Sequence, residues 1–296
     1  MRYRISNPWV CLSLLAGWLA LILTGCRVSD RGGDPVEGIV SGWKQFRLGE
    51  FDRAGKTFET AAAQSVENSE PHLQALFGLA TTWNLRRPGE DTQKARALYD
   101  QIIRLAPDSD LAAWSALALA RMKYIVPGGE APNYAEVARA CLDVWNRFPL
   151  KLAGQEAFLF AQSARLAVPN QNEARAAKAD LEQFVQKYPK SPYLSTAHSL
   201  IAQCCKILGD NEGMLAAIIR AWNTAEVNPG DPTVDLAGIY WRIATTAEFD
   251  VGDFKLAREY FRKLIEEYPT EQKVFLAKQE LKRMDEIEEQ IRGKSE

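Results

Sequence analysis

A chain of 296 residues that is 47% hydrophobic, 25% charged and 10% aromatic has the material for a sizeable core, which excludes an extended disordered polymer. Its formal net charge is −2, and without residues 1–25, which hold Arg2 and Arg4 and no acid, 34 basic residues face 38 acidic ones. That weak acidity and the lack of any Lys/Arg block give no support to nucleic-acid binding, which needs a basic face.

Residues 1–10, MRYRISNPWV, carry two arginines and no acid, and Val10 to Leu23 are almost wholly apolar. A basic start followed by an apolar run too short for a full span predicts an export signal over 1–25. The run ends in Leu23-Thr24-Gly25-Cys26. This resembles the lipobox of bacterial lipoproteins, and the resemblance implies cleavage after Gly25 and acylation of Cys26. Each buried methylene contributes about 0.8 kcal/mol, so two or three acyl chains anchor firmly where one does not. Arg27 stands where, in the sorting rule known for enteric lipoproteins, Asp retains the protein in the inner membrane. The resemblance therefore implies the periplasmic side of the outer membrane. Residues 26–37 are polar, with Gly32, Gly33 and Pro35, and are read as the lipidated cysteine and a flexible tether.

From residue 38 to 270 one pattern recurs: an anchor, apolar residues three, four, seven and eight further on, then in several copies a proline after twelve. From Ala257 the stripe is Tyr260, Phe261, Leu264, Ile265 and Tyr268, closed by Pro269. The anchors Ala54, Ala95, Val137, Ala177, Met214 and Ala257 each begin such a helix. Apolar-periodic segments at 72–85, 111–125 and 193–208 precede three of them. Three helix starts are marked: Ser191 with Pro192, Asp231 with Pro232, and Asn170 with Glu173 in the manner of a capping box. Nothing combines β-branched residues with alternation, so no sheet is expected. Residues 271–296, charged around a narrow apolar stripe, fit the capping helix of a solenoid end.

Length alone allows one long domain or two short ones, and the repeats decide for one array. They resemble the tetratricopeptide repeat, whose signature is carried by Gly49, Phe51, Ala54, Phe58 and Ala61, and by Gly252, Phe254, Ala257, Phe261 and Pro269. The resemblance implies an all-α, right-handed α-α superhelix of about five to six helix pairs plus the capping helix. The period exceeds the family's usual one, with insertions at 86–93 and 127–133. The stretches 187–210 and 228–242 are similar to repeat junctions of BamD-type lipoproteins of the β-barrel assembly machinery, the first also to CpoB-type envelope coordinators. That implies a lipid-anchored scaffold for protein partners in envelope assembly, held to the membrane by the lipid on Cys26.

No glycine-rich phosphate loop, metalloprotease helix or nucleophile elbow is present. Scattered acids, the solitary His72 and His198, and cysteines without metal spacing predict no catalytic, cofactor or metal site. Cys141, Cys204 and Cys205 are read as small core residues. Trp43, Trp83, Trp114, Trp145, Trp222 and Trp241 are read chiefly as inter-repeat packing, with one or two free to line the concave groove; which residues bind a partner is left open. The alternative is a helical-repeat lipoprotein binding a small nutrient or glycan, which requires a closed pocket of convergent polar groups edged by the two insertions. An enzyme would require carboxylates of perturbed pKa in a cleft.

Overall fold

The structure is a computed structural model that describes residues 33–86, 88–126, 130–225 and 235–292. The export signal, Cys11, Cys26, Arg27, and the Asp231–Pro232 start lie outside the described residues. Within them the chain forms thirteen α-helices and no strand, arranged as six antiparallel pairs and a final helix. The pairs are α1 (Pro35–Arg47) with α2 (Phe51–Gln64), α3 (Glu70–Leu85) with α4 (Thr92–Leu105), and α5 (Asp110–Met122) with α6 (Tyr134–Arg147). They continue as α7 (Leu152–Arg165) with α8 (Gln171–Lys187), α9 (Leu194–Leu208) with α10 (Asn211–Asn223), and α11 (Leu236–Thr245) with α12 (Phe254–Glu267). Helix α13 (Gln272–Arg292) closes the array.

Each anchor falls in the second helix of its own pair, and all six are buried, five of them completely. The residues four and seven places further on, such as Phe58 and Ala61, Tyr99 and Ile102, or Phe261 and Leu264, are buried with them. One helical stripe thus supplies the packing face of every outer helix. Prolines 107, 149, 189 and 269 end α4, α6, α8 and α12 through the residue before each. A proline ring forbids the helical region to its predecessor, and Ala106, Phe148, Tyr188 and Tyr268 accordingly take φ of −141°, −128°, −124° and −129°.

Glycines at the pair turns and crossings do the rest. Gly49, Gly209 and Gly252 turn the chain at φ of +79°, +75° and +82°, a region that strains other residues. At the first crossing Phe58 wedges between α1 and α3: a Cβ on Gly42 would stand 2.6 Å from its ring, and one on Gly78 would overlap it. Small residues there let the aromatic ring fill the space between pairs.

Several local expectations shift. Pro35–Glu37, assigned to the tether, form the first turn of α1, because the Asp34 carboxylate accepts the Val36 N–H at 2.9 Å and proline suits a first helical position. Ser191 does not cap α9 directly: its hydroxyl accepts from Tyr193 N–H in a preceding turn and donates to Gln155 at 2.7 Å, so the helix begins at Leu194. Asp235 caps α11, accepting the Gly238 N–H at 2.6 Å. Asn170 caps α8 as expected, but Glu173 reaches Arg165 at 2.9 Å. Segment 111–125 stops being helical at Met122.

In the chain both insertions stand between the first helix of a pair and its second, with residues 87 and 127–129 outside the described residues. Sequence pattern gives no notice of the π-helical turn Thr246–Val251 that follows α11.

Candidate partner-binding surface

Among the described residues, the backbones of α1 and α3, α3 and α5, α5 and α7, and α7 and α9 approach closely, whereas those of α2, α4, α6, α8, α10 and α12 do not approach one another and α6 meets α8 only through long side chains such as Trp145 and Phe184. A stack packed more closely on one side curves toward that side. From α1 to α9 the first helices therefore form the inner, concave layer and the second helices the outer one, whereas α11 packs on α10 and not on α9. The two layers differ in chemistry. Helix α9 holds one formally charged residue, Lys206, and its exposed positions include Thr196, Ser199 and Gln203; outer helix α8 holds six, from Glu173 to Lys187.

The inner layer is stitched between pairs at residues one repeat apart. Arg121 of α5 pairs with Glu156 of α7, whose other oxygen accepts the Tyr193 hydroxyl at 3.0 Å just before α9. Arg121 also lies 5.0 Å from the centroid of the Phe160 ring, and Phe160 meets Tyr124 edge to face at 5.8 Å. Tyr124 in turn approaches Tyr134, and Lys123 pairs with Glu136 at 2.5 Å, which ties the end of α5 to the start of α6. Arg121, Tyr124, Glu156 and Phe160 are half-buried, placed by rigid helices, and able to offer hydrogen bonds and aromatic edges to a chain lying in the groove. Their spacing of 35 and 37 residues hides them from any single-helix pattern.

All six tryptophans are half-buried and packed. Trp43 meets Phe58 at 5.2 Å and Phe77 at 6.4 Å, Trp145 meets Phe158 and Tyr188, Trp222 meets Tyr240, and Trp241 meets Phe261. Trp114 packs against the core of pairs three and four, and Trp83 lies under Lys94 and Arg86. Their part is the joining of repeats. Cys141, Cys204 and Cys205 are free and buried, and burial pushes the Cys141 and Cys204 thiols up to about 11. No group of three His, Cys, Asp or Glu that could hold a metal occurs among the described residues, and no described helix is long and apolar enough to cross a membrane.

The cavities are open clefts rather than a closed chamber. One of about 230 Å³ lies between α1 and α2, and one of about 220 Å³ between α2 and α3. Asp91, Asp210 and Asp235 have pKa values held below the ordinary carboxylate value. The first two are lowered mainly by a backbone N–H of the helix each caps, and Asp235 mainly by Lys273, so these acids stay ionised and hold helix ends.

His198 of α9 is buried, and its imidazole is held below the usual histidine value, first by burial and then by the charge of Arg220. The unfolded chain then binds more protons than the folded one as pH falls through about 6.5, so stability is lost in that direction. The midpoint of thermal unfolding is expected to hold above pH 7 and to drop between about pH 6.5 and 5. His198→Gln should flatten that drop, and an unchanged drop in the variant would refute the assignment.

A tetratricopeptide repeat profile matches residues 74–109, 162–191 and 239–270. These stretches fall on α3–α4, on the end of α7 with α8, and on α11–α12. No curated protein matches the chain. Among solved structures, the assembly chaperone of RpL4 (Acl4, residues 1–338) shares 17% identity over 87% of this chain and 99% of its own, at a TM-score of 0.43. The tetratricopeptide-repeat domain of P58(IPK) shares 18% over 88% of this chain and 68% of its own, at 0.31. A thermophilic tetratricopeptide-repeat protein of Thermus thermophilus shares 14% over 82% and 95%, at 0.28. The fold is an all-α solenoid of tetratricopeptide-like helix pairs.

Proposed function

We propose that this chain is a protein-interaction scaffold: a solenoid held by the lipid on Cys26 to the periplasmic side of the outer membrane, where it grips partners in envelope assembly. The observation that carries the scaffold reading is the chemistry of the inner layer. Its helices carry few charges and hold half-buried Arg121, Tyr124, Glu156 and Phe160, with the buried Tyr193 behind Glu156, in a fixed line across three pairs. A surface with no function would more cheaply be covered with solvated charge, as the outer helices are. The tetratricopeptide repeat matches support the same reading.

The location rests on Leu23-Thr24-Gly25-Cys26 behind an apolar run, with Arg27 following. Only seven residues, eight Cα–Cα steps, separate Cys26 from Asp34, the cap of α1. A leash of that length spans at most roughly 28 Å and keeps the first pairs close to the bilayer.

Crosslinking the protein in its own envelope and identifying what is recovered tests the scaffold. Recovery of barrel-assembly or other envelope proteins is the expected result; recovery of no protein, with thermal stabilisation by a sugar, would replace the scaffold with a glycan-binding reading. For the anchor, Cys26→Ala is expected to abolish incorporation of labelled palmitate and to release the mature domain from the outer-membrane fraction. Continued labelling of the variant refutes lipidation at Cys26.

A further inference from the structure

Four turns of one design lead out of α4, α6, α8 and α12. Ala106–Ser109, Phe148–Lys151, Tyr188–Ser191 and Tyr268–Glu271 are each closed by the N–H of the last residue on the carbonyl of the first, at 3.0 to 3.1 Å. Proline stands second in all four, where its fixed φ suits a tight turn, and the third residue is exposed. That third place holds Asp108, Lys190 and Thr270, as a solvated turn would, but also Leu150. Leu150 is 82% exposed, more than any other large hydrophobic among the described residues, and Leu152 beside it is exposed as well. Nothing in the turn geometry asks for leucine there, since a polar residue serves the other three.

The turns after α6 and α8 lie side by side. The Ser191 and Tyr193 hydroxyls bond Gln155 and Glu156 at the start of α7, and Trp145 meets Tyr188 at 5.5 Å. Residues 147–152 and 187–194 hold Arg147, Lys151, Lys187 and Lys190 and no acid. Lys151 is taken by Asp110 of the preceding turn at 2.8 Å, which leaves Asp108 as the other acid of that turn. Asp143 and Glu182 stand about one helical turn further back on α6 and α8. Arg86 has Asp52, and Arg165 has Asp180, each at 2.8 Å; Arg147, Lys187 and Lys190 have no carboxylate at ion-pair distance among the described residues. The rim around Leu150 is therefore cationic.

The chain also enters on this edge. Its direction alternates from α1 to α9, so α1 starts on the side of these turns. Three inner-helix steps of about 8–10 Å place the α6–α7 turn roughly 30 Å from Asp34, and the leash to Cys26 reaches about as far.

We infer that this edge lies against the lipid surface: Leu150 and Leu152 enter the boundary between headgroups and acyl chains, and Arg147, Lys187 and Lys190 meet the lipid phosphates. The inference rests on the lipid anchor proposed above, which supplies proximity but no orientation. A solenoid on a leash turns freely, and a second, weak contact decides which edge faces the bilayer. Cations alone would serve a free phosphate; the exposed leucines need an apolar boundary beside the charge, and that selects a membrane. With this edge down, the inner helices stand on the bilayer by their starts, and a chain lying across them runs along the membrane.

The test places an environment-sensitive fluorophore on Leu150→Cys in the full acylated chain, reconstituted in mixed phosphatidylcholine–phosphatidylglycerol vesicles that carry a headgroup-level quencher. Cys141, Cys204 and Cys205 are buried, so with Cys26 acylated the new thiol takes the label. Val168→Cys is the control: Val168 is 62% exposed, but at the other end of α7, about 20 Å away. Quenching at 150 is expected to exceed that at 168 about threefold or more. Lys190→Glu should cut it about twofold or more, since each cation near an anionic surface strengthens the contact about fivefold. Quenching at 150 no stronger than at 168, or unchanged by Lys190→Glu, overturns the inference. If mass spectrometry finds Cys26 without lipid, the unanchored chain is floated with the same vesicles. Flotation weakened about tenfold by Leu150→Asp keeps the edge and removes the anchor; no flotation, or flotation that Leu150→Asp leaves intact, removes both.

Discussion

Gly154→Ala is expected to destabilise the protein by about 3 kcal/mol or more, a larger loss than any surface ion pair could cause. Gly154 is the third residue of α7, and a Cβ there would overlap the carbonyl oxygen of Phe148, the residue that ends α6. That oxygen already accepts the Lys151 N–H at 3.1 Å, so it belongs to a turn that cannot rotate away as a side chain would. The two helices must separate, and with them the core formed by Val144, Phe148, Ala153 and Ala157. In an array where each pair contacts only its neighbours, a fault at the third joint divides the cooperative unit. Urea denaturation should show a lower midpoint and a broadened or split transition. Gly55→Ala makes the control: its Cβ would find only ordinary contacts, and alanine is the better helix former by about 1 kcal/mol. Its midpoint should hold or rise. If Gly154→Ala unfolds like the parent, the close approach is not a constraint.

Function should fail with the same substitution, for a reason that lies in the inner layer. Arg121 sits on α5, Glu156 on α7 and Tyr193 at the entry to α9, so a displaced α7 breaks the line at its centre. A partner that spans three pairs loses its register there even where the outer pairs stay folded.

What the sequence discloses, and what it hides, follows from the range of each interaction. The anchors from Ala54 to Ala257 were legible because a helix repeats its buried face every three or four residues, within one segment. The helix ends at Pro107, Pro149, Pro189 and Pro269 were legible because proline acts on its immediate neighbour. The inner line was not, since Arg121 and Glu156 are 35 residues apart and meet only once α5 and α7 are stacked. Asp52 and Arg86 belong to different pairs and were hidden in the same way. Ser191 shows the limit of a local rule: Ser-Pro is a sound helix start, but the hydroxyl donates to Gln155 of the preceding pair, and the helix starts two residues after Pro192. The π-turn at Thr246–Val251 had no local signal, and its reason is a tertiary one.

That reason is Glu248. Its side chain is 2% exposed and faces Arg283 of α13, charge to charge, with no directed hydrogen bond to either oxygen. Arg283 is also held by Glu280 at 2.7 Å and lies 5.1 Å over the Phe249 ring, while Arg258 of α12 bridges to Asp285 and Glu288. The wider π-turn carries Glu248 to the place where the last helix can reach it. Only Val274, Ala277 and Met284 of α13 are buried, so apolar contact alone holds this helix lightly, and the pairing of buried Glu248 with Arg283, itself 39% exposed, decides its seat. Arg283→Met is therefore expected to destabilise the C-terminal end by about 3 to 5 kcal/mol, because it leaves a carboxylate in the core without its counter-charge. Hydrogen exchange should show α13 and the π-turn opening first, with α1–α8 unchanged. Glu248→Gln combined with Arg283→Met should recover most of the loss, since an amide tolerates burial far better than an orphaned charge. A double variant as unstable as Arg283→Met alone would mean that α13 is seated by its apolar stripe, and that Glu248 is a passenger in the turn.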